Sequence, residues 1–391
     1  MTMYFVGIDI SKYKHDCCII SAANQKVVSK FTFKNDKSGF EQLNLILNSL
    51  STPEDIKIGF ESTAHYALNL ELFLENSLLT FMEVNPVLIS EYKKSKTLRR
   101  TKTDSVDCES IARWLMTVEY KPHSKGFYHA YSLKSLTRLR DKLIRQRSFY
   151  LIKITNVLDH TFPEFKPFFG SRFSVTALYI LSNYSSPEKI ANMNSKSYEA
   201  LRKLSRGRFS TVDFAKLKQL AKNTIGTTED YLLLQMQIVL DIYRQLDSKV
   251  DETEVSIKEC VSDMNPPMLS VPGIGIESAA VILAEFGDFS KFKNASQMLS
   301  FAGLEPGYFQ SGTSETTGKM VKHGSSYLRY ALMNCAQTVV NYEPTFAMFY
   351  SKKRAEGKPH RVALSHVVKK LLRVIYTLQT KSIAYDADFV R

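Results

Sequence analysis

The stretch Tyr4-Phe5-Val6-Gly7-Ile8-Asp9-Ile10-Ser11 sets a single carboxylate inside a run of apolar residues. Apolar side chains on both sides of that carboxylate are the pattern of a strand buried in a covered sheet. An Asp in such a place is costly unless it is hydrogen-bonded, paired or bound to a metal. Gly7, with no side chain, allows a ligand or another backbone to come close. The competing reading is a cap on the turn that Ser11-Lys12-Tyr13-Lys14 resembles. The positions of the next acidic residues decide between the two.

The spacing predicts strands over 15–21 and 26–33, joined through Ala22-Ala23-Asn24-Gln25 as an antiparallel meander with the first. Phe40, Leu43, Ile46, Leu47 and Leu50 form one apolar face of a helix over 38–50. A strand over 55–61 ends on Glu61, followed by a helix over 64–76, a strand over 79–84 and a helix started by Pro86. Three antiparallel strands and then alternating helices and strands is the order of a ribonuclease H-like (RuvC-like) mixed sheet. The first and fourth strands of such a sheet are neighbours, so Asp9 and Glu61 are expected at one end of it. The basic run Lys93, Lys94, Lys96, Arg99, Arg100 and Lys102 leads into a helix start at 103–112, where Asp104 and Asp107 share a face. Either acid alone reads as a complement to the helix N-terminus. Four carboxylates at one point, however, repel one another unless divalent cations neutralise them. Mg²⁺ (or Mn²⁺) suits oxygen ligands and phosphate chemistry. Two such ions about 4 Å apart clamp the attacking and leaving oxygens of a phosphodiester exchange. Asp9, Glu61, Asp104 and Asp107 are therefore the expected metal-binding and catalytic residues. Lys94, Lys96, Arg99, Arg100 and Lys102 are expected to hold phosphates.

The charge balance agrees, with 52 Lys and Arg against 39 Asp and Glu, a net +13 and a pI near 9.3. An excess of this size points to a polyanionic partner, chiefly nucleic acid, ahead of a merely soluble basic protein. No apolar run approaches the roughly 18 residues of a membrane span. Nor does the start resemble a secretory signal. The five cysteines form no metal-like spacing and read as reduced, so a cytoplasmic, nucleoid-associated protein without membrane contact is expected.

A helix over 133–158 carries Leu136, Leu139, Leu143, Tyr150, Ile154 and Val157 on one side and many Lys and Arg on the other. Arg138 and Arg145 are read as nucleic-acid contacts, against a merely solvated face. A second stripe over 229–255, through Leu234, Ile238, Ile242, Leu246 and Val250, makes an antiparallel coiled coil with the first, within or between chains. Residues 161–226 between them read as short helical pieces forming a basic insert with no assignable chemistry. Val271-Pro272-Gly273-Ile274-Gly275 resembles a helix-hairpin-helix turn, in which Gly273 and Gly275 present backbone N–H groups to a phosphate. A glycine turn used only for packing is the alternative. Ser311, beside Gly312 in an apparent polar loop over 307–314, reads on local chemistry as a turn residue. Lys319, Lys322 and Arg329 are read as nucleic-acid contacts, with a helix opening near Ser325.

Several motifs change the reading of Ser311. Gly-Ile-Asp-Ile-Ser at 7–11, Phe-Glu-Ser-Thr-Ala-His-Tyr at 60–66, Lys-Thr-Asp-Ser-Val-Asp-Cys-Glu-Ser-Ile-Ala at 102–112 and Val-Pro-Gly-Ile-Gly at 271–275 resemble one family in order. So do Phe-Ala-Gly-Leu-Glu-Pro at 301–306, Gln-Ser-Gly at 310–312 and His-Gly-Ser-Ser-Tyr-Leu-Arg at 323–329. The chain is similar to the DEDD transposases of the "IS one-ten" insertion-sequence family over nearly its whole length; 161–226 and the tail after Glu343 are least typical. The resemblance implies that Asp9, Glu61, Asp104 and Asp107 are the metal ligands and Ser311 the nucleophile. It further implies guidance by a bridge RNA pairing with donor and target DNA, a 5′-phosphoserine intermediate, and homodimers that assemble into a homotetramer with composite active sites. The expected architecture is α/β plus all-α. Residues 1–125 form the catalytic domain, 126–262 a helical coiled-coil region with its insert, and 263–391 a C-terminal helical transposase domain. The rival enzyme is a metal-dependent nuclease or Holliday-junction resolvase using activated water. The non-enzymatic rival is a nucleic-acid-binding scaffold.

Overall fold

The computed structural model describes residues 2–61, 66–96, 104–122, 127–170, 173–311, 314–322 and 324–387, with side chains except at 87, 96, 104, 105, 127–130, 306–311 and 314–319. Contacts divide the chain into two units, Met1–Tyr128 and His129–Arg391.

The first unit holds a five-stranded mixed sheet of order β3-β2-β1-β4-β5. Its strands are β1 (Tyr4–Ile10), β2 (Lys14–Ser21), β3 (Val27–Lys34), β4 (Ile56–Glu61) and β5 (Phe81–Val84). β1 pairs antiparallel with β2 and parallel with β4, and β4 is parallel to β5. This is the ribonuclease H-like order expected from the spacing. The helices are α1 (Lys37–Leu50), α2 (Leu68–Asn76), α3 (Pro86–Lys96) and α4 (Asp104–Leu115). Strand alternation sorts the side chains onto two faces. Val6, Ile8, Ile58 and Phe60 pack with Leu43 and Leu47 of α1 and Leu70 of α2. The opposite face is covered by α4, whose Ile111 and Leu115 meet Phe5.

Gly7 explains how closely α4 can approach. A Cβ at position 7 would stand 2.1 Å from the Cys108 carbonyl oxygen and 2.5 Å from the Ala112 nitrogen. The residue thus admits another backbone, one of the two possibilities its sequence context allowed. Backbone atoms cannot move aside as a flexible side chain can, so Gly7→Ala is expected to cost about 3 kcal/mol or more. Urea unfolding of the full chain measures this, and an unchanged midpoint would show that α4 does not depend on this contact.

The second unit is helical apart from a hairpin. Two 35-residue helices, α5 (Phe127–Thr161) and α11 (Asp230–Met264), each extend beyond the predicted spans. Arg140 bonds Glu254 at 2.8 Å and Arg147 bonds Asp247 at 2.6 Å. As the number rises on one helix it falls on the other, so the pair is antiparallel and lies within one chain. The predicted α11 stripe needs correction. Leu234 and Ile238 are 57% and 50% exposed, whereas Leu232, Met236, Val239, Leu240 and Tyr243 are buried. Apolar residues surround that end of α11, so several helical stripes can be drawn through it, and the helices of the insert determine which is covered.

Those helices are α6 (Phe165–Phe169), α7 (Val175–Asn183), α8 (Pro187–Ala191), α9 (Ser195–Leu204) and α10 (Thr211–Lys222). Phe162, Phe165, Ile180, Leu201 and Leu217 share one core with Ile154 of α5 and Met236 of α11. A second core joins α12 (Ile276–Phe286), α13 (Ala295–Phe301), α14 (Ser326–Tyr342), α15 (Pro344–Ala355) and α16 (His360–Lys381). Between α13 and α14, where the sequence suggested a polar loop, lies a hairpin of β6 (Pro306–Ser311) and β7 (Ser314–Met320). Its strands, PGYFQS and SETTGKM, lack the alternation that marks a half-buried strand, which is why the sequence pattern missed them.

Candidate active site

The first unit brings acids from three elements toward one end of its sheet. Ile8 of β1 pairs with Phe60 of β4, and the next residue on each strand is Asp9 and Glu61. Asp9 lies two positions beyond Gly7, and Glu61 two beyond Gly59, whose added Cβ would meet Leu115 of α4. Alternation therefore directs both acids to the face that α4 covers. Asp107 in the first turn of α4 completes a converging pair with Glu61. The Lys93 ammonium of α3 is 2.8 Å from Asp107 and 4.0 Å from Glu61. These two side chains are 13% and 19% exposed, reachable from solvent yet sheltered enough for charge to matter.

Lys93 belongs to the basic run read as a phosphate track, but its place is between carboxylates. Carboxylate oxygens from two separate elements face one cation, and oxygen donors of this kind are the residue types that Mg²⁺ or Mn²⁺ takes. Among the described residues no three His, Cys, Asp or Glu side chains gather tightly enough to hold an ion. Asp104 opens α4, and its side chain lies outside the described residues. Sequence reasoning passed over Asp16, which stands opposite Asp9 in the β1–β2 ladder and accepts a 2.5 Å hydrogen bond from Thr32. Its signal was the alternation of β2, read for burial and not for charge. Glu109, one turn beyond Ser105, has a different task. Burial pushes its carboxyl up, but hydrogen bonds from Lys30 and Arg113 outweigh this and hold it below the ordinary range. With Lys30 at 2.7 Å, it ties α4 to β3.

In the second unit, Ser311 ends β6 and is paired with Ser314 across the hairpin end. The side chains of Ser311 and Lys319, and all of Arg99, Arg100 and Lys102, lie outside the described residues, as does the side chain of Lys96. Lys94 and Lys322 are exposed. Arg145 is 74% exposed and bonds Asp141 at 2.6 Å. Arg138 is committed within the protein: its guanidinium bonds both oxygens of buried Glu285, at 2.9 and 3.1 Å, and lies 5.2 Å from the Tyr327 ring centre. Arg329 donates to the Ala302 and Gly324 carbonyls at 3.2 and 3.0 Å. Gly273 has φ +99, and a Cβ there would lie 2.8 Å from the Val339 backbone. Thr338 donates to its carbonyl at 2.6 Å. That glycine thus has a packing role of its own. Exposed Gly275 precedes α12, where Glu277 already supplies an acid to the helix start.

Comparisons with known proteins bear on the same elements. A family model described as a transposase, of the DEDD IS110 kind, matches residues 6–163, and one described as the IS116/IS110/IS902 transposase family matches 266–351. A 43.6 kDa protein of insertion element IS110 from Streptomyces coelicolor is 27% identical over 60% of this chain, and the match spans 59% of that relative. A 42 kDa protein of insertion element IS900 from Mycobacterium paratuberculosis is 23% identical, covering 96% of this chain and 95% of its own. A pilin gene-inverting protein of Moraxella bovis is 23% identical over 99% of this chain and 98% of its own. Among the described residues no helix is long and apolar enough to cross a membrane.

Proposed function

The chain belongs to the IS110 family of DEDD transposases, DNA strand-transfer enzymes, and from that premise we propose an RNA-guided recombinase that works through a serine–phosphate intermediate. The observation that carries the reading is the convergence of Glu61 and Asp107 on one cation at the end of a ribonuclease H-like sheet. Under this reading Asp9, Glu61, Asp104 and Asp107 hold Mg²⁺ or Mn²⁺. The bound ions supply Lewis-acid chemistry, lowering the pKa of a nearby hydroxyl and neutralising charge on a phosphate. Lys93 keeps Glu61 and Asp107 from repelling each other when no metal is bound.

Ser311 Oγ attacks the phosphorus of a DNA strand; the Oγ–P bond forms and the P–O3′ bond breaks. The departing 3′ oxygen takes up the proton the serine loses, and the 5′-phosphate stays on Ser311. A 3′-hydroxyl from the second DNA then attacks that phosphorus, forming a new phosphodiester and returning the proton to Ser311. The bond count is conserved, so exchange needs no external energy source. Donor and target DNA are paired to a bridge RNA, which suits a chain in which no sequence-reading DNA motif was found. Two copies form a dimer and two dimers a tetramer, with the carboxylates of one subunit serving Ser311 of another. The division into 1–125, 126–262 and 263–391 and a cytoplasmic, nucleoid-associated location belong to the same proposal.

Trapping tests it against the nuclease reading. The full chain with its co-purifying RNA and a DNA carrying the element end is expected to leave covalent protein–DNA adducts in Mg²⁺ and none in EDTA. Strand cleavage with no adduct at any time would favour water as the nucleophile.

A further inference from the structure

We propose that the helical insert at 161–226 is a nucleic-acid-binding module, and that a pocket between α6, α7 and the α9–α10 connection takes one unpaired nucleotide. The inference rests on family membership and is independent of the carboxylate and serine chemistry proposed above. The insert carries eleven Lys and Arg against four Asp and Glu, so these 66 residues hold +7 of the net +13. Three of the four acids are committed to local structure. Glu164 accepts from Thr224 and the Ile225 backbone, Asp213 closes a capping box with Ser210, and Glu188 bonds Ser186. Among the described residues no ion pair joins these acids to the Lys and Arg of the insert.

The pocket measures about 560 Å³, within the range of sites for small organic groups. Phe169, Val175, Leu204 and Phe209 supply its apolar wall, with Arg206 and Arg208 among its lining. The Phe169 and Phe209 rings are nearly parallel, 8° apart with centres at 6.2 Å, and other phenylalanines pack around them. Val175 and Leu204 are 68% and 38% exposed. Both arginines are exposed, and no ion pair or side-chain hydrogen bond holds either guanidinium among the described residues. Arg206 and Gly207 adopt left-handed backbone, φ 53 and 81, which turns the chain sharply between α9 and α10. Guanidinium groups beside an apolar wall of exposed Val175 and Leu204 and half-buried Phe169, with Phe209 buried behind it, match a nucleotide, whose phosphate is anionic and whose base has an apolar face. A free phosphate would leave the wall unused, and a duplex keeps its bases stacked inside.

The test uses the full chain in EDTA, so that no strand chemistry intervenes. Single-stranded 12-mers carrying 5-iodouridine or 5-iododeoxyuridine are photo-crosslinked, and their affinity is followed by anisotropy against KCl. Cross-links are expected in peptides bearing Phe169 or Phe209. Arg206→Asn/Arg208→Gln, with Asn chosen because it tolerates left-handed backbone, is expected to lose about 10-fold in affinity. The salt slope should fall by about 1.4, as for two lost single-strand phosphate contacts. The charge-matched variant Lys26→Gln/Lys34→Gln at the two ends of β3, outside the insert, should stay within about twofold of wild type. Cross-links in place with either sugar support the proposal, and the tighter binder identifies the strand. The proposal is overturned by cross-links confined to other peptides, by an equal loss in the Lys26/Lys34 variant, by duplex binding as tight as single strand, or by equal competition from polyglutamate.

Discussion

Asp9→Asn is expected to reduce DNA strand cleavage by about 10³-fold or more while leaving RNA and DNA affinity within about threefold of wild type. Asn keeps the size of the side chain and the β1–β2 ladder, so only the charge is removed. Glu61→Gln, Asp104→Asn and Asp107→Asn should behave alike, because acids that share bound cations act as one unit and their losses do not add. Stability supplies a readout besides activity. Glu61→Gln and Asp107→Asn each remove an acid that Lys93 contacts, so the metal-free melting temperature should fall only slightly. Added Mg²⁺ or Mn²⁺ should raise the melting temperature of the wild type, since a ligand bound only to the native state stabilises it. In the variants that rise should shrink. Parallel loss of cleavage, binding and stability would make these residues structural and end the metal assignment.

Ser311→Ala is expected to abolish the covalent adduct, with residual strand exchange lower by at least about 10³-fold, while Ser314→Ala keeps both within about tenfold. The two serines are cross-strand partners at the end of the same hairpin, so a defect in the hairpin itself should affect both variants equally. A difference between them therefore reports the attacking hydroxyl and not the local fold. Denaturing gels of protein mixed with 3′-labelled DNA separate the outcomes, because the fragment whose 5′-phosphate is joined to the protein keeps that label. An adduct that survives in Ser311→Ala but vanishes in Ser314→Ala would move the nucleophile by three residues. Cleavage that survives in both without an adduct would point to water.

Much of the first unit was legible because its signals are local. The apolar run from Tyr4 to Ile10, the alternation from Ile56 to Glu61, and the 3.6-residue spacing of Phe40, Leu43 and Leu47 each follow from a few neighbouring residues. The order of those elements placed β1 beside β4, and with it Asp9 beside Glu61. Ser311 was different: its local context says only turn, and the motif resemblance alone singled it out. The hairpin carrying it escaped notice because neither of its strands shows the apolar alternation by which a strand is read from sequence.

From its sequence alone, the strand order and helices of the first unit, the two long helices of the second, the basic excess and the family motifs were legible, since these depend on residue type and short-range spacing. Tertiary structure alone decided that Gly7 makes room for the α4 backbone and Gly273 for the Val339 backbone. It also decided that Arg138 is taken up by Glu285 and that Lys93 sits between Glu61 and Asp107. The physical reason is the same in each case. A charge or a missing side chain has no fixed meaning until long-range packing sets what stands within a few ångströms of it, and spacing along the chain does not encode that neighbour.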